Sequence, residues 1–317
     1  MEELLNRLRS GDVRGLARAI TGVVERERGA ETLLRAAYAH TGHARVVGLT
    51  GPPGSGKSTL VDALARRYRA AGETLGIVAV DPTSPFTGGA ILGDRIRMQA
   101  HHNDPGIFIR SLATRGALGG LAQAASEVVA LLDASGKDRI LVETVGVGQD
   151  EVDIIQLADV TVVVLVPGMG DEVQAIKAGL MEIADVFVIN KSERGPERLE
   201  QEIQAMLALA PGGGAEAWRP PIVKTIATSG EGVESLQGAI AQRLEWLESH
   251  GGLTRHRARQ WQQRLRQLAR DRLAERLLAP LLTEERLAVA AEAIASEGAD
   301  PYAAVDALID KAILAQR

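Results

Sequence analysis

The stretch from Gly51 to Ser58 reads Gly-Pro-Pro-Gly-Ser-Gly-Lys-Ser, and it decides the fold of this chain. It fits the spacing G-x-x-x-x-G-K-[ST], in which the backbone N–H groups of a glycine-rich loop surround a polyphosphate. Residues 46–50 before it are mainly apolar, which predicts a buried strand, and apolar residues recur at helical spacing after it. Strand, loop and helix together favour a nucleotide site over an ordinary flexible Gly/Pro connection.

The residues of this loop have distinct expected roles in binding a nucleoside polyphosphate. We expect Lys57 to reach the β- and γ-phosphates, and the Ser58 hydroxyl to bind Mg²⁺. The loop backbone and the start of the following helix supply N–H groups and the positive end of a helix dipole. The predicted nucleotide-contacting residues are Gly51, Pro52, Pro53, Gly54, Ser55, Gly56, Lys57, Ser58 and Thr59.

Composition sets bounds on the rest of the chain. The 317 residues are 45% hydrophobic, which is ample for a core, and the formal net charge of −5 gives no general attraction to nucleic acid. The sequence contains no Cys, so disulfides and thiolate metal sites are excluded. The first residues do not have the pattern of a signal peptide, and no stretch reaches the roughly 20 apolar residues that would cross a membrane. These features predict a globular cytoplasmic protein without nucleic-acid or membrane partners.

Strands and helices alternate from about residue 46 to residue 247, which predicts an α/β fold with a mostly parallel, doubly wound sheet. Before it, residues 1–44 form an N-terminal helical segment with a break at Ser10-Gly11-Asp12. Residues 45–250 then form the P-loop domain, and residues 251–317 a C-terminal helical extension. The seven predicted strands cover residues 46–50, 75–80, 107–110, 139–142, 160–166, 186–190 and 222–225.

Polar residues follow several of these strands, at the edge where open α/β sheets bind ligands. Asp81 and Asp94 are candidates for binding Mg²⁺ or positioning the attacking water, although turn and helix-cap chemistry would also explain them. A lone Glu at a strand end would be a solvated tip, but Glu143 together with the P-loop and Gly146 favours a Walker B carboxylate beside the metal. Gly146 can bring a backbone N–H close to a γ-phosphate because it has no Cβ. The candidate catalytic residues are Lys57, Asp81, Asp94, Glu143 and Gly146, and the candidate metal ligands are Ser58, Asp81, Asp94 and Glu143.

The sixth predicted strand ends in Asn190-Lys191-Ser192-Glu193, which is close to the guanine-reading element Asn-Lys-x-Asp. A carboxylate accepts hydrogen bonds only, and guanine offers donors at N1 and N2 where adenine does not. Glu193 keeps the charge but moves the carboxylate by about 1.5 Å, the length of one methylene. Asn190 and Lys191 would support the loop and cover the base, and the small-residue loop with Ser229, Gly230 and Glu231 would meet the guanine carbonyl.

Together these segments resemble the MeaB/ArgK family of G3E-class P-loop GTPases. The segments that carry the resemblance are residues 51–59, 80–85, 87–94, 143–149 and 167–179. Those at 87–94 and 167–179 are the specific ones, because a P-loop alone fits many families. The resemblance implies a homodimeric GTPase that uses GTP/GDP and Mg²⁺.

The resemblance also implies a partner and a set of switch segments. The expected partner is an adenosylcobalamin-dependent acyl-CoA mutase. GTP hydrolysis would gate the delivery of intact cofactor to this mutase and the removal of inactivated cofactor from it. A cobalamin adenosyltransferase is a further expected partner. Asp81 and Asp94 would belong to switch I, residues 143–149 to Walker B and switch II, and residues 167–179 to a switch III that communicates with the mutase. The charged candidates within switch III are Asp171, Glu172 and Lys177.

The C-terminal extension changes composition, because arginines crowd residues 255–276 with few acids among them. Apolar residues fall on one helical stripe of the same stretch, which favours a dimer or partner helix over a membrane or nucleic-acid surface. The resemblance likewise implies a dimerisation arm here. A last helix is predicted to begin at Asp300-Pro301 and to bury Tyr302, Val305, Ile309 and Ile313.

Two other classes of function remain open from the sequence. A nickel- or zinc-handling G3E metallochaperone would need Cys or clustered His, and the sequence has no Cys and only His101-His102 as adjacent histidines. A P-loop ATPase or small-molecule kinase is favoured only by Glu193 in place of aspartate.

Overall fold

The computed structural model describes residues 2–81, 101, 104–113, 120–144, 157–168, 183–209, 217–274, 276 and 282–314. The chain divides into two compact units, Met1–Leu253 and Thr254–Arg317, which are described separately below. Six residues singled out from the sequence lie outside the described residues: Asp94, His102, Gly146, Asp171, Glu172 and Lys177.

The first unit is built on a seven-stranded sheet in which every pairing is parallel. The order β3-β2-β4-β1-β5-β6-β7 places β1, the strand before the P-loop, at its centre. This confirms the predicted fold class, and all seven predicted strands are present. The strands are β1 (Arg45–Thr50), β2 (Leu75–Asp81), β3 (Ile107–Ala113), β4 (Arg139–Glu143), β5 (Val160–Leu165), β6 (Val186–Asn190) and β7 (Ile222–Thr225).

Helices cover both faces of this sheet and precede it in the chain. Asp12 caps the second helix by accepting a hydrogen bond from the Arg14 N–H at 2.9 Å, which explains the predicted break before it. The described helices of the first unit are α1 (Glu2–Arg9), α2 (Val13–Val24), α3 (Ala30–Tyr38), α4 (Lys57–Ala70), α5 (Gly120–Ala134), α6 (Glu197–Leu209) and α7 (Val233–Ser249).

The two faces of the sheet carry separate cores because strand side chains alternate in direction. On one face α1–α3 and α5 pack against β2, β3 and β4, while α6 packs against β5 and β6. On the other face α4 and α7 bury a continuous apolar layer over the centre of the sheet. Val46 faces the first core and Val47 the second, as one-residue alternation requires. The packing on both faces of the sheet therefore holds β1, the strand before the P-loop, in place.

Beside the amino ends of β6 and β7, Arg243 of α7 contacts two adjacent tryptophan rings, whose centroids are 6.0 Å apart. Its guanidinium carbon is 5.2 Å from the ring centroid of Trp218 and 4.8 Å from that of Trp246. Its Nε is 2.8 Å from Oδ1 of Asp185. Burial lowers the pKa of Arg243, against the opposing effect of the Asp185 charge. This cluster joins α7 to the strand edge remote from the P-loop.

The second unit consists of helices, and they expose much of their apolar surface. They are α8 (Gly252–Leu273), which begins two residues before the unit, α9 (Glu284–Glu297) and α10 (Pro301–Leu314). The predicted start of α10 is confirmed, because Asp300 Oδ1 accepts a hydrogen bond from the Tyr302 N–H at 2.9 Å. The predicted burial was wrong for Tyr302, Val305 and Ile309, which are 81%, 52% and 39% exposed. Periodicity indicates which face of a helix is apolar, but it does not supply the surface that covers that face.

Within the described part of the chain, no helix combines the length and apolar character needed to span a bilayer.

Candidate nucleotide-binding site

The P-loop follows β1 at the carboxyl edge of the sheet, and its glycines are required by close backbone contacts. Gly51 has φ +140°, and a Cβ there would collide with the Val164 carbonyl oxygen of the neighbouring strand. Gly56 has φ +92°, and a Cβ there would collide with the side-chain amide of Asn190. These positions exclude larger residues for steric reasons, so the loop can lie tightly against the ends of β5 and β6.

The amine of Lys57 lies on the carbonyl groups of the same loop. Its Nζ donates to the carbonyl oxygens of Gly51 at 2.7 Å and Pro52 at 3.1 Å, and the residue is only 6% exposed. Lys57 is also the first residue of α4, where backbone N–H groups point out of the helix. A buried cation and a helix N-terminus are thus brought together within one loop, which is the arrangement that binds a phosphate chain.

Ser58 and Glu143 are joined by a short buried hydrogen bond. The Ser58 hydroxyl donates to Glu143 Oε1 at 2.6 Å, and the two residues are 9% and 5% exposed. Adjacent strands produce this contact, because Leu49 of β1 lies opposite Glu143 of β4 in the sheet. A hydroxyl and a carboxylate are hard oxygen ligands of the kind that Mg²⁺ prefers, so this pair fits the predicted metal position.

Asp81 ends β2 at the same edge of the sheet. In the register between β2 and β4, Ala79 lies opposite Glu143, so the backbone of Asp81 extends two residues beyond the level of Glu143. This position is compatible with the predicted role near the metal. Its side chain lies outside what the structure describes.

Asn190 connects three parts of the site with one side chain. Its Nδ2 donates to the carbonyl oxygen of Ser55 at 2.8 Å, while its Oδ1 accepts from Thr225 Oγ1 and from the N–H of Ala227, each at 3.1 Å. Because an N–H can only donate, the Ala227 contact fixes which amide atom is the oxygen. Asn190 is 2% exposed. The predicted base-side motif therefore holds the P-loop directly.

Lys191 and Glu193 continue the motif over the outer side of the P-loop. Lys191 has φ +56° and donates from Nζ to the carbonyl oxygen of Gly54 at 2.8 Å. Glu193 lies in the short 3₁₀ helix Ser192–Arg194 and is exposed. An exposed carboxylate beside the loop can accept hydrogen bonds from a bound base.

The small-residue loop after β7 is closed on itself by backbone contacts. The N–H of Ile226 donates to the carbonyl of Glu231 at 3.0 Å, and the N–H groups of Ser229 and Gly230 donate to the carbonyl of Ile226 at 3.1 and 3.0 Å. Its first residues are held by the Ala227 contact with Asn190. The structure therefore brings Ser229, Gly230 and Glu231 to the strand edge that also carries Asn190.

Sequence reasoning missed two groups of contacts near this site. Thr225 is fully buried at the end of β7. Its place in the sequence, as a polar residue that ends an apolar strand, could have indicated that it belongs to the site. Asp62 of α4 contacts His101, a pairing that no sequence spacing indicates because the residues are 39 positions apart. Among the described residues no group of three or more His, Cys, Asp or Glu side chains could hold a metal ion.

Comparison with known proteins gives consistent matches across the chain. A family described as methylmalonyl Co-A mutase-associated GTPase MeaB matches residues 16–281. A putative GTPase of Pyrococcus abyssi is 47% identical over 315 residues, covering 99% of this chain and 97% of that protein. The mitochondrial methylmalonic aciduria type A homolog of Mus musculus is 34% identical over 267 residues, covering 83% of this chain and 64% of that protein. A crystal structure described as LAO/AO transport system kinase aligns with a TM-score of 0.70 at 27% identity, covering 98% of this chain and 96% of that one.

Proposed function

Because this chain belongs to the MeaB family of methylmalonyl-CoA mutase-associated GTPases, we propose that it is a GTP-hydrolysing switch that serves an acyl-CoA mutase. Acting in the cytoplasm, it gates delivery of adenosylcobalamin to the mutase and protects the mutase from inactivated cofactor. The mutase in this proposal comes from the description of the family and from the name of the mouse relative. A cobalamin adenosyltransferase is a second partner in the proposal.

The observation that supports a nucleotide switch is the convergence of three strand ends on one loop. Ser58 contacts Glu143 from β4, Gly51 lies against β5, and Ser55 is held by Asn190 from β6. Any change of the loop on exchange of nucleotide would therefore be transmitted to several strand ends.

In the proposed reaction each residue has a physical role. Lys57 and the first N–H groups of α4 would bind the β- and γ-phosphates, and Ser58 and Glu143 would hold Mg²⁺ together with Asp81 and Asp94. When bound, Mg²⁺ would neutralise charge that develops on the phosphate oxygens. The N–H of Gly146 reads the γ-phosphate, and Asp171, Glu172 and Lys177 pass the state to the mutase.

Base selectivity is assigned to Glu193, with Lys191 and the loop of Ser229, Gly230 and Glu231 completing the base site. Titrations with fluorescent GDP and ADP test this part. We expect tight binding of GDP and weaker binding of ADP, and we expect Glu193→Gln to reduce that preference because the amide N–H groups cannot accept from guanine. Glu193→Asp, which keeps the carboxylate, is the matched control. Equal binding of ADP and GDP by the wild-type protein would contradict the assignment.

The partner is tested with a purified adenosylcobalamin-dependent methylmalonyl-CoA mutase. We expect the two proteins to co-elute, the mutase to raise the GTPase rate, and cofactor transfer to the mutase to depend on GTP. Lys57→Ala should lose hydrolysis and every nucleotide-dependent effect, because it removes the cation at the phosphate site. No co-elution and no change in rate with the mutase would refute the proposed partner.

A kinase is the second candidate, since one similar structure is described as a transport system kinase. Both activities begin with the same phosphate site, so only the acceptor of the γ-phosphoryl group separates them. Radiolabelled GTP and ATP distinguish the two: release of all label as inorganic phosphate supports the GTPase, whereas label on a metabolite supports the kinase.

We propose further that the second unit forms the contact of a homodimer. α8 carries seven arginines and one aspartate, whereas α9 carries four glutamates and one arginine. Both helices also expose large apolar side chains, including Trp261 and Leu265 of α8 at 43% and 59% and Val289 of α9 at 66%. In a two-fold dimer, α8 of one protomer would face α9 of its partner, which pairs opposite charges and covers both apolar stripes.

Charge reversal tests this arrangement. Arg259→Glu with Arg266→Glu places two acids on one face of α8, because the residues are seven apart. We expect this variant to be monomeric by light scattering, and we expect added Glu285→Arg and Glu292→Arg to restore the dimer. A monomeric wild-type protein, or a variant that stays dimeric, would refute the arrangement.

A further inference from the structure

α4 makes a buried polar contact that the proposed function has not used. Oδ1 of Asp62 lies 2.6 Å from Nε2 of His101, and Oδ2 of Asp62 lies 2.8 Å from Nη2 of Arg66. The His101 side chain is 7% exposed and that of Asp62 is 17% exposed. Both oxygens of the carboxylate are therefore engaged, and the contact with His101 is largely shielded from water, whereas the Arg66 side chain is 63% exposed.

The position of Asp62 on α4 relates this contact to the nucleotide site. Asp62 follows Ser58 by four residues, so the two side chains lie on one face of the helix about 6 Å apart along its axis. Ser58 in turn donates to Glu143 at 2.6 Å. The direction of the Ser58 hydroxyl thus depends on how α4 is rotated about its own axis.

Apolar packing alone does not fix that rotation well, because hydrophobic burial is non-directional. Leu60, Val61 and Leu64 hold α4 on the sheet, but the segment that leads into the helix is a loop with three glycines at positive φ. Short hydrogen bonds to charged groups are directional and resist small rotations. Asp62 and His101 make such a contact one turn after Ser58.

We infer that Asp62 and His101 are positioning residues for the metal-binding end of the nucleotide site. By tying α4 to the chain that leads into β3, they hold the Ser58 hydroxyl at the Glu143 carboxylate. They touch neither nucleotide nor reacting atoms, so their effect is on how well Ser58 is aligned. This inference rests on the proposed function and adds to it a determinant of Mg²⁺ affinity.

A second contact between the same helix and the same stretch of chain provides a matched control. Nε and Nη2 of Arg69 each lie 2.9 Å from the carboxylate of Asp104, and the two side chains are 25% and 28% exposed. Arg69 is eleven residues beyond Ser58, about 16 Å along the helix. This pair sits where β2 and β3 begin, so its loss should lower stability without moving Ser58.

The experiment measures the affinity for fluorescent GDP as a function of Mg²⁺ concentration, with and without EDTA. His101→Leu and Asp62→Ala should each raise the Mg²⁺ concentration for half-maximal tightening by about tenfold, the lower end of the range for loss of groups that orient metal ligands. Affinity in EDTA should stay within about twofold of wild type. The double variant should be no worse than the more affected single variant, because the two residues act through one contact.

His101→Gln tests the contact itself, since its amide N–H can replace the imidazole N–H. We expect it to bring Mg²⁺ dependence back to within about threefold of wild type, whereas Asp104→Asn should lower the melting temperature and leave Mg²⁺ dependence unchanged. If His101→Leu does not fold, the Mg²⁺ dependence of Asp62→Ala and His101→Gln can be compared instead.

Three results would overturn the inference: unchanged Mg²⁺ dependence in a folded Asp62→Ala protein, an equal shift in Asp104→Asn, or no rescue by glutamine. Failure of the proposed function gives a different result, because a wild-type protein that binds GDP without hydrolysing GTP still reports the Mg²⁺ shift.

Discussion

Replacing Asn190 should separate the P-loop from the base side of the site. Asn190→Ala removes three hydrogen bonds, to Ser55, Thr225 and Ala227, and leaves their buried partner atoms unsatisfied. At about 1 kcal/mol for each bond, we expect the free energy of unfolding to fall by about 3 kcal/mol. The residue is 2% exposed, so water in the folded protein cannot easily replace the lost contacts.

Asn190→Asp separates the hydrogen bond that this side chain donates from the two that it accepts. The carboxylate still accepts from Thr225 and Ala227, but it places a negative oxygen against the carbonyl oxygen of Ser55. We expect a stability loss at least as large as that of the alanine variant, because a carboxylate is buried without a cation against a carbonyl oxygen. We also expect a loss of GDP affinity of at least about tenfold, because the P-loop loses its donor.

Urea unfolding and titration with fluorescent GDP measure the two quantities. Glu193→Gln serves as the control for the unfolding measurement alone, since it changes an exposed residue of the same motif and should leave stability unchanged. A stability loss below about 1 kcal/mol in Asn190→Ala, or unchanged GDP affinity in Asn190→Asp, would refute the view that this side chain holds the P-loop.

Three further variants test other parts of the first unit. Arg243→Ala should lower the free energy of unfolding by about 3 kcal/mol in urea, because the carboxylate of Asp185 stays largely buried without its cation, and Arg243→Lys should lose less. The side-chain contact with Arg69 holds the pKa of Asp104 below its ordinary value. The ionised carboxylate therefore stabilises the fold above about pH 4, and this stabilisation is lost as pH falls through the lowered pKa. Asp104→Asn should therefore flatten the acid side of the curve of melting temperature against pH, and an unchanged slope would contradict this. Gly51→Ala should lower the free energy of unfolding by more than about 1 kcal/mol and weaken GDP binding, because its Cβ at φ +140° collides with a strand carbonyl.

The sheet and the phosphate site could be predicted from sequence because their signals are local. Each strand is a short apolar run, and the P-loop joins a strand to a helix with fixed glycine spacing. The carboxyl ends of parallel strands share one edge, so Glu143 could be placed near Ser58 before any distance was known. The structure gives that distance as 2.6 Å.

The remaining contacts depend on tertiary pairing, which spacing does not encode. Nothing in the sequence near His101 indicates Asp62 as its partner, and the adjacent histidines suggested only a weak metal pattern. Tyr302 shows the opposite error, since its place on a helical apolar stripe predicts burial but its side chain is 81% exposed. The spacing of apolar residues along a helix does not say which surface covers the stripe that they form.

The contact of Arg243 with two indole rings also has an optical consequence. The chain has three tryptophans, of which Trp218 and Trp246 lie in this cluster and Trp261 lies in the second unit. Emission from the cluster reports whether the amino edge of β6 and β7 is intact. A variant with Trp218→Phe and Trp246→Phe would leave Trp261 as its one tryptophan, so its emission would report the second unit separately. Comparing its unfolding curve with that of the unaltered protein would show whether the two units unfold in one step or two.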